Sequence, residues 1–149
     1  MVASGYGACS LWPARSPCHC DGLSQRPLML DGSGTWRCLH QCGACCRLAP
    51  EERPEALEAL DDAQRQLYLE MAGPDGWCRH YDSGGRRCRI YEERPDFCRV
   101  SNLAALFAVE ASDAEAFAIA CCRQQIRSVY GGRSLELRKF NRLLRAGDE

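Results

Sequence analysis

Nine cysteines follow residue 30: Cys38, Cys42, Cys45, Cys46, Cys78, Cys88, Cys98, Cys121 and Cys122. The first four read C-x3-C-x2-C-C. Two thiols separated by two residues reach one metal through a tight turn, and Gly43, between Cys42 and Cys45, frees the backbone to curl that far. Cys78, Cys88 and Cys98 recur at intervals of ten residues. Cys121 and Cys122 are neighbours on a predicted helix, about 100° apart, so one of them faces a given metal. Zinc takes four thiolate or imidazole ligands, and an iron–sulfur cluster commonly takes four thiolates. Eight ligands drawn from nine build two such sites, or one site with reactive thiols to spare. Spacing leaves that choice open. The run is neither the paired C-x2-C of a zinc ribbon nor the ferredoxin run C-x2-C-x2-C-x3-C-P.

Other uses of the sulfur fit less well. Disulfides persist in oxidising compartments. A secretory signal needs basic residues, 7–15 apolar residues and a small-residue cleavage site. Residues 1–30 offer only the proline-broken runs Leu11-Trp12-Pro13-Ala14 and Pro27-Leu28-Met29-Leu30. The expected location is therefore the cytoplasm, with the thiols reduced. Cys42-Gly43-Ala44-Cys45 has the C-x-x-C form of a thiol oxidoreductase, but no strand precedes it to make the required βαβ unit. Arginines stand beside many cysteines (Arg37, Arg47, Arg79, Arg87, Arg89, Arg99, Arg123) and are expected to lower thiol pKa values and donate to sulfur. The bland explanation is that arginine serves as nearly every cation, Lys139 being the single lysine. His40 and His80 could each replace a cysteine ligand, though such histidines more often face solvent or merely support a ligand.

The elements that must hold these thiols are short. Residues 36–50 read as a loop with cysteine, glycine and proline punctuation. Residues 54–71 read as one helix, with Leu57, Leu60, Leu67 and Met71 near one face and Gly73-Pro74 as its stop. Residues 77–91 read as a hairpin turning at Asp82-Ser83-Gly84-Gly85, with Cys78 facing Cys88 across the ladder. Pro95 opens a helical turn before Cys98. Trp77, Tyr91 and Phe97 read as core around the metal. Ser112-Asp113-Ala114-Glu115 has capping-box form for a helix that ends at Gly131-Gly132. Ser134 caps a last helix bearing Leu137, Phe140, Leu143 and Leu144. The fold class is α+β: a helix-rich small metal-binding domain with one short β-hairpin and a cysteine-bearing loop.

Composition sets the bounds. The chain has 149 residues, 46% hydrophobic and 26% charged, with a formal net charge of −1. That is room for one core. No apolar run approaches the roughly 20 residues of a membrane-spanning helix. The charge balance gives no field to attract nucleic acid or an acidic membrane. Twelve cysteines are far more than packing needs. Residues 1–35 lack any periodicity and read as a disordered or spurious extension, while 36–146 form the cysteine-cluster domain. A third site from Cys18, His19 and Cys20 is the functional alternative for that extension.

The run Cys42-Gly43-Ala44-Cys45-Cys46, then Cys78, then Cys88-Arg89-Ile90-Tyr91-Glu92-Glu93-Arg94-Pro95-Asp96-Phe97-Cys98-Arg99, resembles the YkgJ-type cysteine-cluster (CxxCxxCC) family, described as zinc- or iron-chelating. Cys122-Arg123 with Ile126 and Val129-Tyr130-Gly131 resembles its cyanobacterial and plastid branch. The likeness spans about residues 36–144. It departs at Cys38, where three residues rather than two precede the next cysteine. The resemblance implies eight metal-ligating cysteines: Cys38, Cys42, Cys45, Cys46, Cys78, Cys88, Cys98 and Cys122. Cys121 is left as the spare thiol, because Cys122 heads the Cys-Arg-x-x-Ile pattern. The implied cofactor is an iron–sulfur cluster, with 4Fe–4S favoured, or zinc. The implied role is metal or iron–sulfur handling, or electron transfer.

Two other readings stand beside it. A flagellin lysine methylase shares this domain, so a cluster-dependent enzyme is one. Against it, no strand–glycine–helix segment for S-adenosylmethionine appears, and the expectation leans away from an enzyme. The other is a structural zinc module docking a protein partner through Leu137, Phe140 and Leu144. The bland reading of that face is packing on the chain's own core.

Overall fold

The structure, a computed structural model, describes residues 35–146. The readings of the N-terminal extension and of the Cys18, His19 and Cys20 site fall outside the described residues.

Where the periodicity predicts one helix over 54–71, the chain makes two. Helix α1 (Pro54–Glu58) has proline in its first turn. Helix α2 (Asp62–Met71) starts afresh at Asp61. Asp61 Oδ1 accepts from the Gln64 N–H at 2.8 Å, and Gln64 Oε1 accepts from the Asp61 N–H at 3.1 Å. This reciprocal cap satisfies donors that open a new helix rather than continue an old one. The break turns the apolar face, so Tyr68 and Met71 are buried while Leu67, expected inside, is exposed.

The hairpin is shorter than predicted. Strands β1 (Tyr81–Asp82) and β2 (Arg87–Cys88) pair antiparallel, with Tyr81 opposite Cys88. Cys78 therefore does not face Cys88 across the ladder. The Tyr81 N–H donates to the Cys78 carbonyl at 3.0 Å, a turn that bends the chain before β1 begins. Cys78 instead bridges Ala72, and its N–H donates to the Cys46 carbonyl at 2.8 Å.

After β2 the chain advances through 3-10 turns at Tyr91–Glu93, Asp96–Cys98 and Val100–Asn102. Pro95 stands at the head of the second, as expected. Helix α3 (Leu103–Leu106) is one turn long. Helix α4 (Ala114–Tyr130) has no capping box at Ser112. A 3-10 turn, Ala111–Asp113, feeds directly into it, and Glu115 turns away to accept from the Trp36 backbone N–H. Gly131 ends α4 at a positive φ of 97°, backbone that favours glycine. Ser134 Oγ accepts from the Leu137 N–H at 3.2 Å and opens α5 (Leu135–Arg145).

Three apolar clusters hold these pieces. The first joins α4 and α5 through Ile119, Ile126, Leu137, Phe140 and Leu144, so the α5 face packs on the chain's own core. The second joins α2 to the hairpin side through Leu60, Tyr68, Met71 and Phe97. The third packs Leu103 and Phe107 around Cys121. The architecture is the expected helix-rich α+β, with one two-stranded sheet. Among the described residues, no helix is long and apolar enough to cross a membrane.

Candidate metal centre

The cysteine-bearing loop lies between the first two clusters. Cys42 and Ala44 belong to the α4–α5 side, and Cys46 and Leu48 to the α2 side. Gln41 and Gly43 both take left-handed backbone, at φ 58° and 66°, on either side of Cys42. The 3-10 turn Ala44–Cys46 follows at once. At Gly43 a Cβ would meet Tyr81 Cε2 at 2.7 Å, so only glycine lets the loop lie against the hairpin.

Both sides grip this loop. Gln125, buried on α4, donates through Nε2 to the carbonyls of Ala44 at 2.7 Å and Arg47 at 3.2 Å. The Tyr130 hydroxyl donates to the Cys42 carbonyl. From the other side, the Leu48 and Ala49 N–H groups donate to the Gly76 carbonyl at 2.8 and 2.9 Å.

Cys38, Cys42, Cys45, Cys46, Cys78, Cys88 and Cys98 all line one open cavity of about 770 Å³. All nine cysteines of the described residues are free thiols. Cys122 is not on that lining. It stands beside Cys42 in the α4–α5 cluster, and the Trp36 indole Nε1–H donates to its Sγ at 3.1 Å. Cys121 turns the other way, into the Leu103–Phe107 cluster, and is 2% exposed. Of the adjacent pair, Cys122 is therefore the one on the loop side. The exposed His40 also lines the cavity, whereas His80 does not. The backbone N–H of His80 donates to Cys78 Sγ at 3.4 Å.

Burial governs most of the thiols. It pushes Cys42 up to about 11, and Cys98 and Cys122 up to about 12. Cys38 and Cys78 are raised for the same reason. Cys45 behaves differently. It is open to solvent yet ringed by protein, as befits a group on the floor of a cleft. A hydrogen bond from the Cys46 thiol holds Cys45 below the usual thiol range, Arg94 and Arg53 adding to the effect. Cys46 keeps its proton for the same reason.

The arginines next to cysteines in sequence mostly serve other ends. Arg47 donates to the Asp75 carbonyl at 2.6 Å and Arg99 to the Glu92 carbonyl at 2.7 Å. Arg87 pairs with Asp82, and Arg123 donates to Asn141. The cations that act on the thiols are Arg53, Arg86 and Arg94. Arg94 stacks on Tyr91, 3.7 Å from its ring centroid, at the rim of the cavity. Tyr91 is thus exposed rather than core, because the guanidinium holds its ring outside. Phe97 is buried as expected, and Trp77 stacks on Tyr81 with centroids 4.4 Å apart.

Gln125, Tyr130 and Arg53 were not legible as site residues. For Gln125 a signal existed: it is a polar residue beside Ile126 on the apolar face that Cys122 and Val129 share. Arg53 carries no such mark.

The donor set suits zinc or iron. Thiolates are the preferred ligands of both zinc and iron–sulfur centres. N–H donors to sulfur and nearby cations stabilise the ionised form. Among the described residues, no three His, Cys, Asp or Glu side chains converge on one ion-sized point. The sulfurs are instead spread around the cavity walls.

A family model, CxxCxxCC, described as "Putative zinc- or iron-chelating domain", matches residues 37–122. The chain belongs to the CxxCxxCC family. The matched span starts one residue before Cys38 and ends on Cys122, so it takes in all eight cysteines named above. Helix α5 lies beyond the CxxCxxCC match and serves that domain from outside, covering α4. No curated protein and no solved structure matches the chain.

Proposed function

We propose that this CxxCxxCC protein holds an iron–sulfur cluster, of 4Fe–4S type, on thiolates drawn from Cys38, Cys42, Cys45, Cys46, Cys78, Cys88, Cys98 and Cys122. It acts in electron transfer or in iron–sulfur handling, in a reducing compartment such as the cytoplasm. The observation that carries the reading is that seven cysteines line one cavity of about 770 Å³. A single zinc ion draws its sulfurs to about 2.3 Å from one point. A cluster presents several iron corners and accepts thiolates that face each other across a gap. The free thiols support the reducing compartment.

The chain's own residues supply the setting. Trp36 and the His80 backbone donate to sulfurs, and Gln125 and Tyr130 fix the loop that bears half of the thiols. The cluster, when bound, supplies one-electron chemistry.

The test is purification without oxygen, followed by analysis of iron, zinc and acid-labile sulfide together with the visible spectrum. Iron with sulfide and a broad visible absorption is the expected result. A colourless protein with stoichiometric zinc overturns the cluster and makes the centre structural. A protein free of both metals overturns the metal reading altogether.

A further inference from the structure

Arg53 has no exposed surface at all (0%). It lies in a small pocket whose walls include Cys45, Cys98, Tyr68 and Phe97. Cys45 and Cys98 also line the large cysteine cavity, so Arg53 sits one side chain behind its wall. Its guanidinium is held in place. Arg53 Nη1 donates to Tyr68 Oη at 3.5 Å, and Tyr68 Oη donates to the Leu48 carbonyl at 2.5 Å. The tyrosine proton is committed to Leu48, which leaves the oxygen lone pairs for the arginine.

A guanidinium keeps its charge at any physiological pH. Burying that charge is costly unless opposite charge lies close. Cys45 attracts Arg53 when ionised, as Tyr68 and Glu52 also do. A bound metal keeps its thiols deprotonated, and four thiolates outweigh the charge of a zinc ion or a cluster core. The buried cation is therefore better matched in the metal-loaded state than in the metal-free one.

We infer that Arg53 is a positioning residue for the metal centre: a buried countercharge behind Cys45 and Cys98 that favours the metal-loaded thiolate state. The inference rests on the thiolate-centre reading of the cavity. It assigns work to a residue that ligates nothing.

Zinc affinity, measured by competition with a chromophoric chelator, tests it for the wild type, Arg53→Met and Arg53→Lys. Thermal melts of the three metal-free proteins run beside it. Arg53→Met is expected to weaken zinc binding about 10- to 100-fold, the usual effect of losing a group that supports metal ligands. The metal-free Arg53→Met protein is expected to keep a cooperative melt, lowered by the loss of the Tyr68 contact, so that its zinc affinity is read on a folded chain. Arg53→Lys, which restores the charge, is expected to recover much of the affinity. Wild-type affinity in Arg53→Met overturns the inference. So does an equal loss of affinity in both variants with equally lowered melts, because the side chain then only fills space. A wild type that takes up neither zinc nor ferrous iron overturns the thiolate-centre reading instead.

Discussion

Gln125 reaches from the middle of α4 to the carbonyl of Ala44, 81 residues earlier in the chain, with an Nε2–O distance of 2.7 Å. The same nitrogen also meets the Arg47 carbonyl at 3.2 Å. One amide thus clamps both ends of the turn that presents Cys45 and Cys46. Gln125→Leu keeps the volume but removes that donor, leaving the Ala44 carbonyl with the Arg47 N–H alone. The expected cost is about 1–3 kcal/mol, or about 4 °C of melting temperature for each kcal/mol in a domain of this size. A thermal melt checks it. An unchanged melt means that the backbone bonds of the turn suffice without Gln125.

Gly43 predicts a second loss. Its φ of 66° costs an alanine about 1–2 kcal/mol, and a new Cβ would press on Tyr81 Cε2 at 2.7 Å. Gly43→Ala is expected to destabilise by more than the backbone cost alone. Urea melts of Gly43→Ala, Tyr81→Leu and the double variant separate the two contributions. The double variant should fall short of the sum, since the ring is no longer there to be displaced. Strict additivity leaves the backbone as the whole cause.

These two residues show what the sequence makes legible and what it hides. Gly43 is readable, because a C-x-x-C turn demands tight backbone and glycine stands within it. Ser134 and Gly131 are readable for similar reasons: caps are local chemistry, and both act where the sequence places them. The helix over 54–71 breaks because the Asp61–Gln64 cap competes with periodicity, and a window over apolar residues does not see caps. The Cys78–Cys88 pairing fails because hairpin register depends on where the turn closes, and the ladder is only two residues long. Arginine adjacency misleads most. Arg47, Arg87, Arg99 and Arg123 turn to backbone or side-chain oxygen. The guanidinium behind the thiols comes from Arg53, next to no cysteine in sequence.

The adjacent pair on α4 gives a contrast between neighbours. Cys121 is sealed among Leu103 and Phe107, while Cys122 receives the Trp36 indole N–H at 3.1 Å on the loop side. Cys122→Ser is expected to lower the metal bound per chain. Cys121→Ser is expected to keep the metal and to cost about 1–3 kcal/mol of stability, by placing a hydroxyl in an apolar cluster. Metal analysis and melts of both variants decide it. Loss of metal from Cys121→Ser with retention in Cys122→Ser reverses the assignment of sides.

Protons should act on the metal-free and metal-loaded proteins in opposite directions. Burial lifts Cys42 to about 11, and Cys98 and Cys122 to about 12. At neutral pH these three thiols carry protons when no metal is bound, and a metal must expel them. Zinc affinity is therefore expected to climb between pH 6 and 8, log K rising by as much as about three per pH unit if all three ligate. Competition titrations at several pH values read that slope, and a flat profile means that these thiols do not ligate. The metal-free fold follows the other sign. The folded pKa values lie above the unfolded thiol value of about 8.5. The fold thus favours the protonated form, a contribution complete below that value and lost as pH rises toward 11–12. Denaturant melts of the metal-free protein should weaken from pH 8 to 10, while the loaded protein weakens in acid as protons displace the metal.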